Sequence, residues 1–432
     1  MATWIDQIYA DVAKAATTNL VGYFRPNQAQ ADEQQRQFMA GQIRNPIFVY
    51  YGVSGKHFGP KLDRLDDHLE PGSEFMGLAA SSELGQLWIR ALERRRNSLR
   101  LARACQQSDM VAFAQANWAM GLMPREDIYN SILRSLERRF ANDPEGPGQE
   151  LLELLPSSNF KSLLPSERIM RDVQDRVMGI CDELHLPTRY RLRGMWDAQY
   201  FVDMFNRSLT SSRAGEWKAE VTDKQRRMST SSTKKRIFVP VDRKIPAFMG
   251  LAIMAHERLH VERYWRGEQS GFYLLYGGTA GNPWAEEGVT TVLEESIIGN
   301  IRLHTREDYY LAASLAAGMI DSEVRDFRAV YEVMVTYYRA RDTEVMPSNR
   351  SSESPEERAW IMAMRIFRGT DCKTPGVFFG KDTIYTTGNL NIWQLLERSP
   401  ASVQYFTAGK FNPADDDEVN ALVAAGVIPA LN

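Results

Sequence analysis

His256, Glu257 and His260 form a His-Glu-x-x-His pattern inside Ala255-His256-Glu257-Arg258-Leu259-His260. On a helix, residues four apart share one face, a turn apart. Two neutral imidazoles at that separation can grip a single Zn²⁺. Glu257 falls about 100° round the helix from His256, beside the ion rather than on it. A carboxylate placed there can take a proton from an activated water. The chemistry expected is metal-assisted hydrolysis: one Zn²⁺ per chain, His256 and His260 as ligands, Glu257 as general base. The opposing reading is coincidence, but two His and a Glu on a buried helix are costly to keep without a metal.

Several elements must position these groups. Pro246 suits a first helical turn, where its missing N–H costs nothing. The apolar run Ala247 to Ala255 marks the helix as buried. Catalytic zinc takes three protein ligands and leaves a place for water. The continuation Val261-Glu262-Arg263-Tyr264-Trp265-Arg266 lacks the Gly and third His of a metzincin, which excludes that class. Nothing around His304 supports a ligand role, and His185 reads as a helix-end or surface residue. A carboxylate from a second helix is the better third ligand. Asn282-Pro283 reads as a cap with Pro at the first helical position, and the helix Trp284 to Ile298 carries Glu286, Glu287, Glu294 and Glu295. Of adjacent Glu286 and Glu287, only one can face the metal. Trp284-Ala285-Glu286-Glu287-Gly288 resembles the Trp-x-x-Glu-Gly segment of gluzincin aminopeptidases, whose Glu before Gly binds zinc. That resemblance implies Glu287, with Glu286 as the alternative. Thr290 and Thr291, one turn on, are candidates for a supporting hydrogen bond.

The remaining chain reads as mostly helical α+β. Met1 to Tyr23 looks like a helix, followed by a Gln-rich stretch to about Arg36, and 1–41 is expected to be an appended helix or arm. Asn45 to Tyr51 looks extended. Helices are expected at Glu83 to Cys105, Asp109 to Met120 and Glu126 to Phe140, within a helical region 42–165. Asn142 to Gly148 is a breaker, and a catalytic domain is placed at 166–432. Within it, Arg168 to His185 and Leu192 to Phe205 read as helices. Glu216 to Val221 and Arg236 to Val241 alternate as neighbouring strands, joined by a loop or long hairpin connection. Such a sheet edge near the metal suits an extended peptide. Further helices are expected at Tyr309 to Met319, Ser322 to Arg339, Pro355 to Phe367 and Asn389 to Glu397, with a loop over Asp371 to Thr387.

The 432 residues carry a formal net charge of −3, with 44% hydrophobic and 25% charged residues. No basic excess points to nucleic acid or an anionic membrane. Three cysteines, Cys105, Cys181 and Cys372, are too few and too scattered for a disulfide framework, which fits a reducing, cytoplasmic setting. The N-terminus lacks a signal-peptide layout, and the longest apolar run is far too short to span a bilayer.

Several segments together resemble the tyrosine carboxypeptidase domain family, which includes microtubule-associated tubulin tyrosine carboxypeptidases and bacterial homologues named for a Gln-Glu-Gly-Leu-Ala motif. They are Asn45-Pro46-Ile47-Phe48, Lys235 to Pro240, the His-Glu-x-x-His motif, Glu286-Glu287-Gly288, Arg365-Ile366-Phe367-Arg368-Gly369, Gly380 to Tyr385, and Gly409-Lys410. Their order spans roughly residues 42 to 430. The family commonly has three residues between its two His, where this chain has two. It reads Leu-Ala where this chain has Val289-Thr290. The resemblance implies a gluzincin-like zinc carboxypeptidase that removes a C-terminal Tyr or Phe from a peptide or protein, with Glu287 as third ligand. Holding a terminal carboxylate requires a cation. Arg368 and Lys381 are the candidates from the family-like segments, the alternative for each being a structural salt bridge with Asp382. Tyr385 is the candidate donor to the oxyanion, with Tyr264 as its alternative. Competing readings are a zinc endopeptidase or aminopeptidase on the same scaffold, and a metal-bearing but inactive binding module.

Overall fold

The structure is a computed structural model. It describes all residues except 1, 18, 142–144, 157–166, 188–193, 213, 225–227, 301–306, 345–351 and 432. It is mostly helical with small sheets, an α+β protein. The motif lies on the helix Ala247–Gln269, here the motif helix. Pro246 precedes it in an extended conformation and carries no N–H to leave unsatisfied. Leu251, Met254, Ala255, Leu259, Val261 and Arg263 are all fully or nearly fully buried, so most of this helix lies inside the protein. Helices of that kind run through a core rather than over it.

The acidic helix, Asn282–Ile298, packs against the motif helix. It has Pro in its first turn and stops at Gly299, whose φ of 80° suits a residue without Cβ. A third helix, Thr383–Arg398, here the tyrosine helix, packs along the acidic helix. Their approach is set by glycine. A Cβ on Gly388 would meet the Trp284 carbonyl oxygen at 2.0 Å, and one on Gly288 would meet the Gly388 oxygen at 2.5 Å. The expected loop over Asp371 to Thr387 is therefore corrected at its end. The helix already starts at Thr383, and Gly388 is a contact glycine inside it.

Two sheets flank the motif helix. β1 (Met195–Asp197) and β5 (Lys244–Pro246) pair antiparallel, with Trp196 opposite Ile245. The other sheet runs in the order β2 (Lys218–Thr222), β4 (Arg236–Pro240), β3 (Ser229–Ser231). The two expected strands are neighbours, but they are parallel, so no hairpin joins them. The intervening chain instead lays β3 antiparallel on the far side of β4, with Thr230 opposite Ile237.

Two buried cores hold these elements. One gathers residues from Tyr9 to Ile428, including Phe38, Trp88, Phe113, Trp360 and Phe379. The other contains Trp196, Phe205, Trp217, Ala255, Val289 and Trp393. This partition cuts across the expected segments 1–41, 42–165 and 166–432. Phe38 is fully buried against Phe327, Tyr331 and Trp360, so the N-terminal stretch belongs to a core rather than to an arm. It also forms two helices, Ala2–Ala15 and Leu20–Tyr23, instead of one. The Asn45–Tyr51 stretch is extended without a strand partner. Its backbone is paired by glutamine side chains of the helix Gln28–Met39, with Ile47 N–H donating to Gln34 Oε1 and Val49 N–H to Gln30 Oε1.

Candidate metal centre

His256, His260 and Glu287 meet at one point, their donor atoms all within 4.8 Å of one another. His256 Nε2 lies 3.0 Å from His260 Nε2 and 3.7 Å from Glu287 Oε2. Tetrahedral zinc with bonds near 2.1 Å places its ligand atoms about 3.4 Å apart, so the donor set fits such an ion. The two-residue spacing of the motif is what a regular helix needs to bring both Nε2 atoms together.

The second nitrogen of each imidazole faces a carboxylate of the acidic helix. His256 Nδ1 is 2.8 Å from Glu294 Oε1, and His260 Nδ1 is 2.9 Å from Glu286 Oε1. The numbers run oppositely on the two helices, so they lie antiparallel. Glu287 and Glu294 are seven apart and share a face, which places both beside His256. The carboxylate bonded to His260 Nδ1 favours the tautomer that turns its Nε2 toward a metal, and the Glu294 charge stands beside His256 Nδ1. Burial alone would lower the pKa of His256, but Glu294, Glu257 and Glu287 outweigh it and raise it. The site thus concentrates negative charge around two neutral-capable ligands, which favours a cation.

Glu286, adjacent to the candidate ligand, has other partners. Arg263 Nε donates to its Oε2 at 3.0 Å, and Lys410 Nζ is 3.5 Å from its Oε1. Burial would raise its pKa. Lys410, His260 and Arg263 overcome that and hold it well below the usual carboxylate range. Arg263 is fully buried and also donates to the Phe406 and Phe411 carbonyls at 3.0 and 2.8 Å, anchoring the segment that carries Lys410. The hydroxyls of Thr290 and Thr291 bond to main-chain oxygens of Glu286, Glu287 and Gly288, not to carboxylates.

A cleft of about 480 Å³ opens over the centre. Glu257 lines it, its Oε2 accepting a 2.7 Å hydrogen bond from the Thr230 hydroxyl. Trp217 and Met228 line it near the sheet, and Tyr309, Arg365, Tyr385 and Lys410 complete it. Tyr385 therefore reaches the cleft, whereas Arg368 and Lys381 are not among its lining residues. Arg368 donates to Asp382 at 2.8 Å, the structural salt bridge foreseen as its alternative, and Lys381 lies over the Tyr385 ring. Arg365, three residues earlier and still on the helix Pro355–Ile366, takes the cleft position instead. Its Nε and Nη2 grip both Asp382 oxygens at 2.8 Å, and Nη1 donates to Tyr309 at 3.0 Å. Tyr264 packs edge-on to Trp217 and is not a lining residue. His304 falls outside the described residues.

The sequence did not single out Arg365, Tyr309, Lys410 or Thr230 as cleft residues, nor Glu286 and Glu294 as the carboxylates beside the two imidazoles. The seven-residue spacing from Glu287 to Glu294 was a usable signal. The segments holding Arg365 and Lys410 were marked, but nothing in them said which side chain turns inward.

The molecule is thus a mostly helical α+β protein with a His₂Glu donor cluster and a helix-borne glutamate at the floor of a cleft. The profile of the family described as microtubule-associated tyrosine carboxypeptidase matches residues 195–431, more than half of the chain, and the chain belongs to that family. The match covers the motif helix, the acidic helix and the tyrosine helix, but not the Asn45–Phe48 segment. No curated protein and no solved structure matches the chain.

Proposed function

We propose that this protein is a zinc carboxypeptidase with a gluzincin-like centre, removing a C-terminal residue, aromatic by preference, from a peptide or protein. The observation that carries this reading is one cleft holding both the His256–His260–Glu287 donor set and the fixed guanidinium of Arg365. Family membership supports it, and the aromatic lining of Trp217, Tyr309 and Tyr385 suits an aromatic side chain. All three cysteines are free and buried, in keeping with a reducing, cytoplasmic setting. No helix among the described residues is long and apolar enough to cross a membrane.

His256, His260 and Glu287 would hold Zn²⁺, which supplies Lewis acidity toward water and the scissile carbonyl. Glu257 takes a proton from the attacking water and returns it to the leaving amine. Tyr385 donates to the oxyanion that develops on the carbonyl. Arg365 receives the substrate carboxylate. Asp382 is shared between Arg365 and Arg368, one negative charge against two positive, so positive charge remains on this wall for an anionic chain end.

The test compares peptides ending in tyrosine as free acid and as amide, read by mass spectrometry with zinc-loaded protein. Only the free acid is expected to lose one residue. Glu257→Gln should keep zinc and lower turnover by about 10²- to 10⁴-fold. Equal cleavage of the amide, internal cuts, or unchanged turnover in Glu257→Gln would overturn the reading.

A further inference from the structure

The reading of Glu257 as general base leaves open what holds its flexible side chain in place. β3 supplies the answer. Thr230 stands opposite the fully buried Ile237 on β4, so its side chain lies on the sheet face that Ile237 buries. Its hydroxyl reaches Glu257 Oε2 at 2.7 Å. The Glu257 carbonyl oxygen is 3.5 Å from the same hydroxyl, too far to compete for its single proton. A β-branched residue has few side-chain rotamers, so this donor is stiff. Among the described residues, Glu257 Oε1 accepts no hydrogen bond, and Glu257 lines the cleft.

We propose that Thr230 is the positioning residue for the general base, its hydroxyl locking one rotamer of Glu257 so that Oε1 faces the attacking water. Thr230 keeps its own proton throughout. The proton taken from water goes to Oε1 and leaves from there to the departing amine. The inference rests on the role proposed above for Glu257.

The test uses full-length zinc-loaded protein, an N-benzoylated Gly-Tyr dipeptide as probe, and the isosteric Thr230→Val beside Thr230→Ser. For Thr230→Val, kcat should fall about 10- to 100-fold while KM and zinc content stay unchanged. Thr230→Ser, which keeps the hydroxyl, should stay within about threefold of the original chain. Crystals of the zinc-loaded proteins should show Glu257 in one rotamer in the original chain and several in Thr230→Val. A kcat within twofold in Thr230→Val would overturn the proposal, as would equal losses in both variants. If the unsubstituted protein cleaves nothing, the peptidase reading falls. The rotamers alone then decide, and a single unchanged Glu257 rotamer in Thr230→Val overturns the positioning role.

Discussion

Glu286 and Glu287 are adjacent, yet successive helical side chains project about 100° apart, so they meet different partners. Glu287 shares a point with two imidazole nitrogens, while Glu286 stands behind His260 and neutralises Arg263 and Lys410. Glu286→Gln keeps the shape but removes the charge that orients His260. It should weaken zinc binding by about 10- to 100-fold, as lost outer partners of metal-binding histidines do. Glu287→Gln removes a donor and should weaken it more. Competition against a chelator of known affinity measures both, and the reverse order would reassign the third ligand to Glu286.

The acidic helix and the tyrosine helix carry Glu287 and Tyr385 into the same cleft, and their separation fixes the distance between those groups. Gly288 and Gly388 let the backbones touch. Polar bonds then set the register: Asn389 donates to Thr291 and Glu295 at 3.1 and 2.9 Å, and Trp393 donates to Glu295 at 2.7 Å. Gly388→Ala would press a methyl group onto the Trp284 carbonyl, a backbone atom that no rotamer change can move. It should cost about 3 kcal/mol or more in urea unfolding. Gly179, on the helix Glu167–Glu183, has open space where a Cβ would stand. Gly179→Ala should therefore stabilise by up to about 1 kcal/mol. Similar effects at both positions would refute the close-contact account of Gly388.

Across the whole molecule, Asp382 ties the end of the tyrosine helix to Arg365 and Arg368 at the close of the helix Pro355–Ile366. Its side chain is 1% exposed. Burial would raise its pKa, but Arg368 and Arg365 outweigh that and hold it far below the usual range. A depressed carboxyl stabilises the fold above its unfolded pKa of about 3.9 and loses that contribution as pH falls toward the folded value. Asp382→Asn should cost about 3–5 kcal/mol at pH 7, because two guanidiniums lose their counter-ion. The gap from the original chain should narrow below about pH 4. Urea titrations across pH check this, and a gap constant down to pH 2 would contradict it.

Local spacing was enough to place His256, His260 and Glu257, the proposed metal ligands and base, on one helix, because a helical repeat is set by the backbone alone. It also placed a carboxylate-bearing helix and a mostly helical fold. The strands Lys218–Thr222 and Arg236–Pro240 were legible as neighbours, but their parallel order was not, since direction depends on where the intervening chain returns. That Arg365 lines the cleft while Arg368, bound to the same Asp382, does not was equally hidden. So was Gly388, whose meaning lies in a carbonyl over a hundred residues away in sequence. Periodicity fixes which side chains share a face; only the packing of one face against another decides which of two nearby charges lines the cleft and which is turned away from it.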